Sequence, residues 1–220
     1  MVKDSVYLET SLVSYITARP SRDIIAAAHQ TITLDWWDNH RQHFELFISQ
    51  VVVDEAKLGN PEAAAKRLKI LESIAHLEIS EEVVNFGQTL INYGIIPQQS
   101  QEDALHVAVS CINGMNYLFT WNCKHIANAK KRGEMALCGI WRFLSDYLYA
   151  RRIIVRRVNM WNDPILEELY KHRQEMAAKF NYDFRALCNY YRERQKLEKH
   201  ELVSLPPKLL KDLPPIAQGG

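Results

Sequence analysis

The sequence has no apolar run of about 18 residues, so no membrane-spanning helix is expected. Its N-terminus leads directly into a strand-like segment and lacks the apolar core of a signal peptide, so we expect a cytoplasmic protein. The 4 cysteines include no CxxC pair, which favours free thiols over a disulfide framework or a zinc site. The net charge is only +1, so any surface for a polyanion must come from local clustering of basic residues.

The chain of 220 residues is long enough for one α/β domain and a smaller appendage. Hydrophobic residues make up 47% and charged residues 24%, a balance that is typical of globular proteins and excludes a disordered chain. Short apolar runs, predicted as strands, alternate with helical patterns; they lie at residues 6–8, 44–48, 77–79 and 117–120. This alternation predicts an α/β fold of three layers, with a central parallel sheet flanked by helices.

The pattern changes near residue 140. Residues 141–157 hold five arginines and no clear period, whereas helical periodicity resumes after Met160, with Asp163 as a cap and Pro164 at the first helical position. We therefore divide the chain into a main domain (1–139), an irregular basic linker (140–159), a C-terminal helical extension (160–204) and a Pro-rich, disordered tail (205–220).

Four oxygen-bearing side chains lie where strands end or helices begin. Glu9 and Asn122 follow predicted strands, and Glu55 and Asp103 are placed at predicted helix starts. Ligands of open parallel sheets bind beyond the carboxyl ends of the strands, where these side chains could surround a hard divalent cation. The alternative is that Glu9, Asp103 and Asn122 only cap helices and complement helix dipoles.

Four sequence strings, in order, resemble the motifs of PIN domains, metal-dependent ribonucleases that serve as toxins in bacterial toxin–antitoxin pairs. They are VYLETSLVSY (6–15), SQVVVDE (49–55), DALHVAVS (103–110) and LFTWNCKHI (118–126). The resemblance covers roughly residues 3–135 and implies a PIN-like fold with a nuclease site. Dimerisation is a further expectation from the family.

The resemblance implies that Glu9, Glu55 and Asp103 are catalytic, metal-binding acids for Mg²⁺ or Mn²⁺, with Asn122 as the fourth corner of the site. RNA would be the substrate, and Thr10 or Thr120 could support a carboxylate. Two positions depart from the family pattern, since most PIN domains have Asp in place of Glu9 and many have Asp in place of Asn122. If the acids cluster without a metal, mutual repulsion should raise the pKa of at least one.

Other residues have two interpretations. His106 lies one helical turn after Asp103 and could approach the site, or it could be an ordinary core histidine. A group of basic residues could contact RNA phosphates or form a solvated face; it comprises Lys124, His125, Lys130, Lys131 and Arg132. The alternative function for the whole domain is a catalytically silent PIN-like module that binds RNA or a protein.

The C-terminal segment 160–204 is similar to small proteins encoded beside PIN toxins, which implies an antitoxin fused in cis to its toxin. The alternative is an ordinary helical extension that covers the sheet edge, with any antitoxin acting in trans. We expect two helices docked weakly or not at all, and self-inhibition if they dock near the pocket. We also hypothesise that residues 140–159 are a frameshifted reading of the C-terminal end of the PIN domain. Residues 147–155 can be encoded by codons that, in the shifted frame, spell Ile-Cys-Thr-Pro-Glu-Glu-Leu-Leu, which resembles the ending of such toxins.

Overall fold

A five-stranded parallel sheet forms the centre of the computed structural model, which describes residues 3–122, 124–126, 163–198 and 200–206. The strands are β1 (Asp4–Leu8), β2 (Phe44–Ser49), β3 (Ala75–Leu77), β4 (Tyr117–Phe119) and β5 (Leu202–Val203). Their spatial order is β4-β1-β2-β3-β5, and every neighbouring pair is parallel. The α/β fold predicted from the sequence is confirmed.

Helices flank the sheet and complete the three layers. They are α1 (Thr10–Thr17), α2 (Ile24–Asn39), α3 (Gln50–Ala56), α4 (Pro61–Leu71), α5 (Glu81–Asn92), α6 (Gln101–Ile112), α7 (Pro164–Lys179) and α8 (Phe184–Leu197). Side-chain caps fix several starts: Asn60 precedes Pro61 at the start of α4, and Asp163 precedes Pro164 at the start of α7. None of the helices in these ranges is long and apolar enough to cross a membrane.

The core lies on both sides of β1, whose residues Val6, Tyr7 and Leu8 are fully buried. A continuous buried run is what a central parallel strand requires, because helices cover both of its faces. On one face, Trp36 of α2 packs edge-on against Phe119 of β4, with ring centroids 4.9 Å apart. The central strand therefore ends within a rigid, closely packed frame, which fixes the position of the residue that follows it.

The C-terminal segment docks closely on this frame, so the expectation of weak or absent docking was wrong. Phe184, Leu187 and Tyr191 of α8 belong to the same buried cluster as the strands. Phe184 packs directly over Gly87 of α5, where a Cβ atom would overlap its ring. The two predicted helices are present, but the sequence analysis did not anticipate β5, which extends the sheet beyond β3.

Some of the proposed boundaries cannot be compared with the fold. The basic linker 140–159, with the frameshift hypothesis attached to it, lies outside the described residues, as do residues 207–220 of the tail. The proposed start of the disordered tail at residue 205 is placed too early, because the Leu205 backbone N–H donates to the Asn113 side chain at 3.1 Å. The segment that docks on the core thus continues to the end of β5 and slightly beyond.

Candidate active site

The structure brings the four residues singled out from the sequence together at the carboxyl end of the sheet. Glu9 directly follows β1, Asp103 lies in the first turn of α6, and Asn122 follows β4. Glu55 was expected at a helix start, but it is the penultimate residue of α3. Because α3 is short and begins directly after β2, its last turn still reaches this edge.

A single arginine from the C-terminal segment occupies the centre of the cluster. Arg173 of α7 donates from Nε to Glu55 Oε1 at 2.6 Å, from Nη1 to Asp103 Oδ1, and from Nη2 to Glu9 Oε1. Its side chain is 2% exposed, and the three carboxylates are equally buried. Burial alone would lower the pKa of Arg173, but the three acids outweigh it and raise that pKa. The pocket therefore encloses a permanent cation.

The two oxygens of Glu9 have separate partners. Oε2 caps α1 by accepting from the Ser11 backbone N–H at 3.1 Å, and it also accepts from the hydroxyls of Ser11 and of Thr120, the latter at 2.9 Å. Oε1 faces the pocket and contacts Arg173. Glu9 thus caps α1, as one of the two interpretations predicts, and capping leaves its other oxygen facing the pocket.

Glu55 is held from two sides. The Thr10 hydroxyl donates to Oε2, and His106 Nε2 lies 3.1 Å from the same oxygen. Burial alone would raise the pKa of Glu55, but the Arg173 guanidinium, followed by His106, holds the pKa well below its usual range. The raised pKa that clustering of the acids led us to expect is therefore not found at Glu55, because Arg173 supplies the compensating charge.

Asn122 orients Asp103 and does not present its carbonyl oxygen to the other acids. Its Nδ2 donates to Asp103 Oδ1 at 2.9 Å, and its Oδ1 accepts from the His125 backbone N–H at 3.0 Å and the Tyr170 hydroxyl at 3.1 Å. We expected Asn122 to be the fourth corner of the metal site, but its amide nitrogen instead holds Asp103 in position. The other oxygen of Asp103 is 2.8 Å from His125 Nδ1.

A further acid, Glu102, is buried beside the site by α8. The Tyr191 hydroxyl donates to Glu102 Oε1 at 2.7 Å, whereas Oε2 has no hydrogen-bond partner among the described residues. Burial, with repulsion from Glu55 next, raises the pKa of Glu102 well above its usual value. The sequence analysis did not single out Glu102, whose raised pKa follows from burial by a helix of the distant C-terminal segment.

Sequence reasoning missed Arg173, although a signal was present. The buried face of α7 contains Leu166, Leu169, Arg173 and Ala177, which recur at helical spacing. An arginine on an apolar helix face requires a buried acidic partner, and the acidic residues of the main domain were the obvious candidates.

Two basic residues expected on an RNA-contacting or solvated face also have other partners here: His125 contacts Asp103, and Lys124 Nζ lies 5.1 Å from the centroid of the Tyr170 ring. The remaining three lie outside the described residues.

The donor set fits a divalent cation. Glu9, Glu55 and His106 each present one ligand atom, and these atoms all lie within 4.8 Å of one another. Carboxylate oxygens suit Mg²⁺ and Mn²⁺, and the bound guanidinium shows that the pocket accommodates positive charge.

Comparison of the chain with protein-family models, with curated proteins and with solved structures finds no match in any of the three.

Proposed function

We propose that this chain is a metal-dependent endoribonuclease of the PIN type, the toxin of a toxin–antitoxin pair, acting in the cytoplasm and held inactive by its own C-terminal segment. The observation that carries the proposal is the convergence of Glu9, Glu55 and Asp103 around one buried cation. These acids come from three elements that are far apart in sequence, and they lie where parallel sheets bind ligands.

Mg²⁺ or Mn²⁺ would be held by Glu9, Glu55 and Asp103 once Arg173 has left. Such an ion lowers the pKa of a bound water and stabilises negative charge on a phosphodiester. The chain's own hydroxyls would keep the acids in place: Thr10 contacts Glu55, and Thr120 contacts Glu9. Asn122 would orient Asp103 through the contact that it already makes.

Inhibition in cis follows from the position of Arg173. Its guanidinium and a divalent cation need the same carboxylate oxygens, so binding of one excludes the other. A cavity of about 360 Å³ lies between α1, α4 and α7; it borders Glu55 and Thr10 and also includes Arg19 and Arg67. With α7 displaced, this cavity would open into a groove in which the two arginines could contact RNA phosphates next to the acids.

A second candidate is the catalytically silent module that binds RNA or a protein. The observation that favours it is the depressed pKa of Glu55, because carboxylates fully paired with arginine also occur in structural ion-pair clusters. The two functions differ in what removal of Arg173 exposes. A nuclease gains an accessible metal site, whereas a structural cluster only loses its compensating charge.

RNA cleavage by the purified full chain tests the proposal. We expect no cleavage by the wild type, Mn²⁺- or Mg²⁺-dependent cleavage of single-stranded RNA by Arg173→Ala, and none by the double variant Arg173→Ala/Asp103→Asn. Arg194→Gln is the matched control, because Arg194 also joins the C-terminal segment to the core but contacts Asp54 outside the pocket. A folded Arg173→Ala protein without metal-dependent cleavage would favour the silent module.

A further inference from the structure

His106 lies at the floor of the acidic pocket and is fully buried. Its Nε2 is 3.1 Å from Glu55 Oε2 and 4.0 Å from Glu9 Oε1. A core histidine needs only a hydrogen-bond partner, whereas this ring directs one nitrogen to the point that two carboxylates share. The arrangement therefore resembles a set of three ligands that includes an imidazole.

The inhibitory arginine marks the point that the three donors have in common. Nη2 of Arg173 contacts Glu9 Oε1, lies 3.0 Å from Glu55 Oε2 and lies 3.1 Å from His106 Nε2. One nitrogen of the guanidinium thus touches all three side chains at once. A cation placed at this position would have two carboxylate oxygens and one imidazole nitrogen around it.

The opposite side of the imidazole is held by a hydroxyl chain. His106 Nδ1 is 2.9 Å from the Tyr7 hydroxyl, which is 2.7 Å from Ser49 Oγ, and all three residues are buried. A phenol can donate and accept, so Tyr7 can accept from Nδ1–H while it donates to Ser49. With a metal ion in place of the guanidinium, this tautomer would direct the Nε2 lone pair into the pocket, as is usual for histidines that bind metals.

On the basis of the proposed function, we propose that His106 is a metal ligand together with Glu9 and Glu55, and that the site therefore prefers Mn²⁺ to Mg²⁺. Mg²⁺ binds oxygen ligands and retains several waters, whereas first-row transition-metal ions such as Mn²⁺ accept an imidazole ligand more readily than Mg²⁺ does. Asp103 contacts the other side of the guanidinium, through Nη1, and would remain the third carboxylate around the ion on that side. Tyr7 and Ser49 are positioning residues that act through His106.

Pulsed EPR of Mn²⁺ bound to the full-length Arg173→Ala protein tests this proposal, because coupling to a ¹⁴N nucleus reports a directly bound imidazole. We expect ¹⁴N modulation that is lost in Arg173→Ala/His106→Gln. The control is Arg173→Ala/His125→Gln, since His125 contacts Asp103 but lies outside the triad. Removal of the ligand should weaken Mn²⁺ binding about tenfold or more while Mg²⁺ binding changes less, and Tyr7→Phe should cost about tenfold in Mn²⁺ affinity.

The outcomes separate this inference from the function on which it rests. Bound Mn²⁺ without ¹⁴N modulation, or with modulation that survives His106→Gln, would overturn the role of His106 and leave the nuclease proposal intact. Absence of Mn²⁺ binding in folded Arg173→Ala would overturn both. If Arg173→Ala fails to fold, the same measurements are made on Gly87→Ala, whose added methyl group would overlap the Phe184 ring and is expected to loosen the C-terminal helices. If protease cuts the C-terminal segment of this variant and Mn²⁺ still fails to bind, both proposals are also overturned.

Discussion

Two arginines of the C-terminal segment bind carboxylates of the core in opposite surroundings. Arg173 is 2% exposed and serves three acids, whereas Arg194 is 34% exposed and forms a bidentate pair with Asp54, at 2.8 and 2.9 Å. Arg194 remains partly in water while Asp54 is 9% exposed, so this pair is partly screened and adds less to stability than an interaction shielded from water would. The buried cluster requires desolvation of four charged groups, so its retention is better explained by function than by stability.

Removal of Arg173 should have the largest effect. In Arg173→Ala, three carboxylates remain buried without a cation, so we expect a loss of about 3–5 kcal/mol in the free energy of unfolding when no divalent ion is present. Denaturant titration with and without Mn²⁺ measures this loss and its recovery. An equal loss in both conditions would mean that the pocket recognises the guanidinium alone.

The next largest effect is expected at the contact between α5 and α8. In Gly87→Ala the added methyl group overlaps the Phe184 ring, and overpacking of this kind costs about 1–3 kcal/mol. Alanine in the middle of α5 would stabilise that helix if the C-terminal segment were absent. We therefore expect faster proteolysis of the segment and metal-dependent RNA cleavage, although Arg173 is intact.

A compensating substitution provides the control for this variant. Phe184→Leu shortens the side chain over position 87, so the double variant Gly87→Ala/Phe184→Leu should regain resistance to protease and lose RNA cleavage. If Gly87→Ala alone leaves both properties of the wild type unchanged, docking of α8 does not control the site.

A pH-dependent effect is expected at Glu102. The pKa of Glu102 is raised in the folded chain, chiefly by burial. Its contribution to the stability of the fold is therefore complete when the pH is below its pKa in the unfolded chain, and it is lost as the pH rises towards its pKa in the folded chain. Glu102→Gln should therefore raise the Tm more at pH 8 than at pH 5. Glu55 acts in the opposite direction, because a depressed pKa stabilises the fold above the unfolded value and ceases to do so on acidification. The carboxylate of Glu175, which is 59% exposed, supplies the control, since Glu175→Gln should leave both melting temperatures nearly unchanged.

The smallest effect is expected at Arg194, the half-buried arginine. Arg194→Gln removes the pair with Asp54 but leaves Lys57 and Gln50 as partners of that carboxylate. The loss in the free energy of unfolding should be below about 1 kcal/mol. No gain in RNA cleavage should accompany it, whereas activation equal to that of Arg173→Ala would show that any loosening of the segment opens the site.

Local sequence patterns predicted the acids of the pocket but not the arginine that pairs with them. The parallel sheet and the positions of Glu9, Asp103 and Asn122 at its carboxyl end follow from local patterns, since apolar runs and caps are encoded within a few residues. The cation between them comes from a helix that begins more than 150 residues after Glu9. Local periodicity cannot show which distant side chain fills a pocket, and it cannot show which way the amide of Asn122 turns.

Mn²⁺ titration of the full-length chain, monitored by EPR of the free ion, tests most directly the central claim that Arg173 occupies a cation site. We expect Arg173→Ala to bind one Mn²⁺ with high affinity, whereas the wild type and Arg194→Gln should bind it at least about a hundredfold more weakly, a difference of about 2.8 kcal/mol. Equal Mn²⁺ binding by all three proteins, or no binding by a folded Arg173→Ala protein, would contradict it.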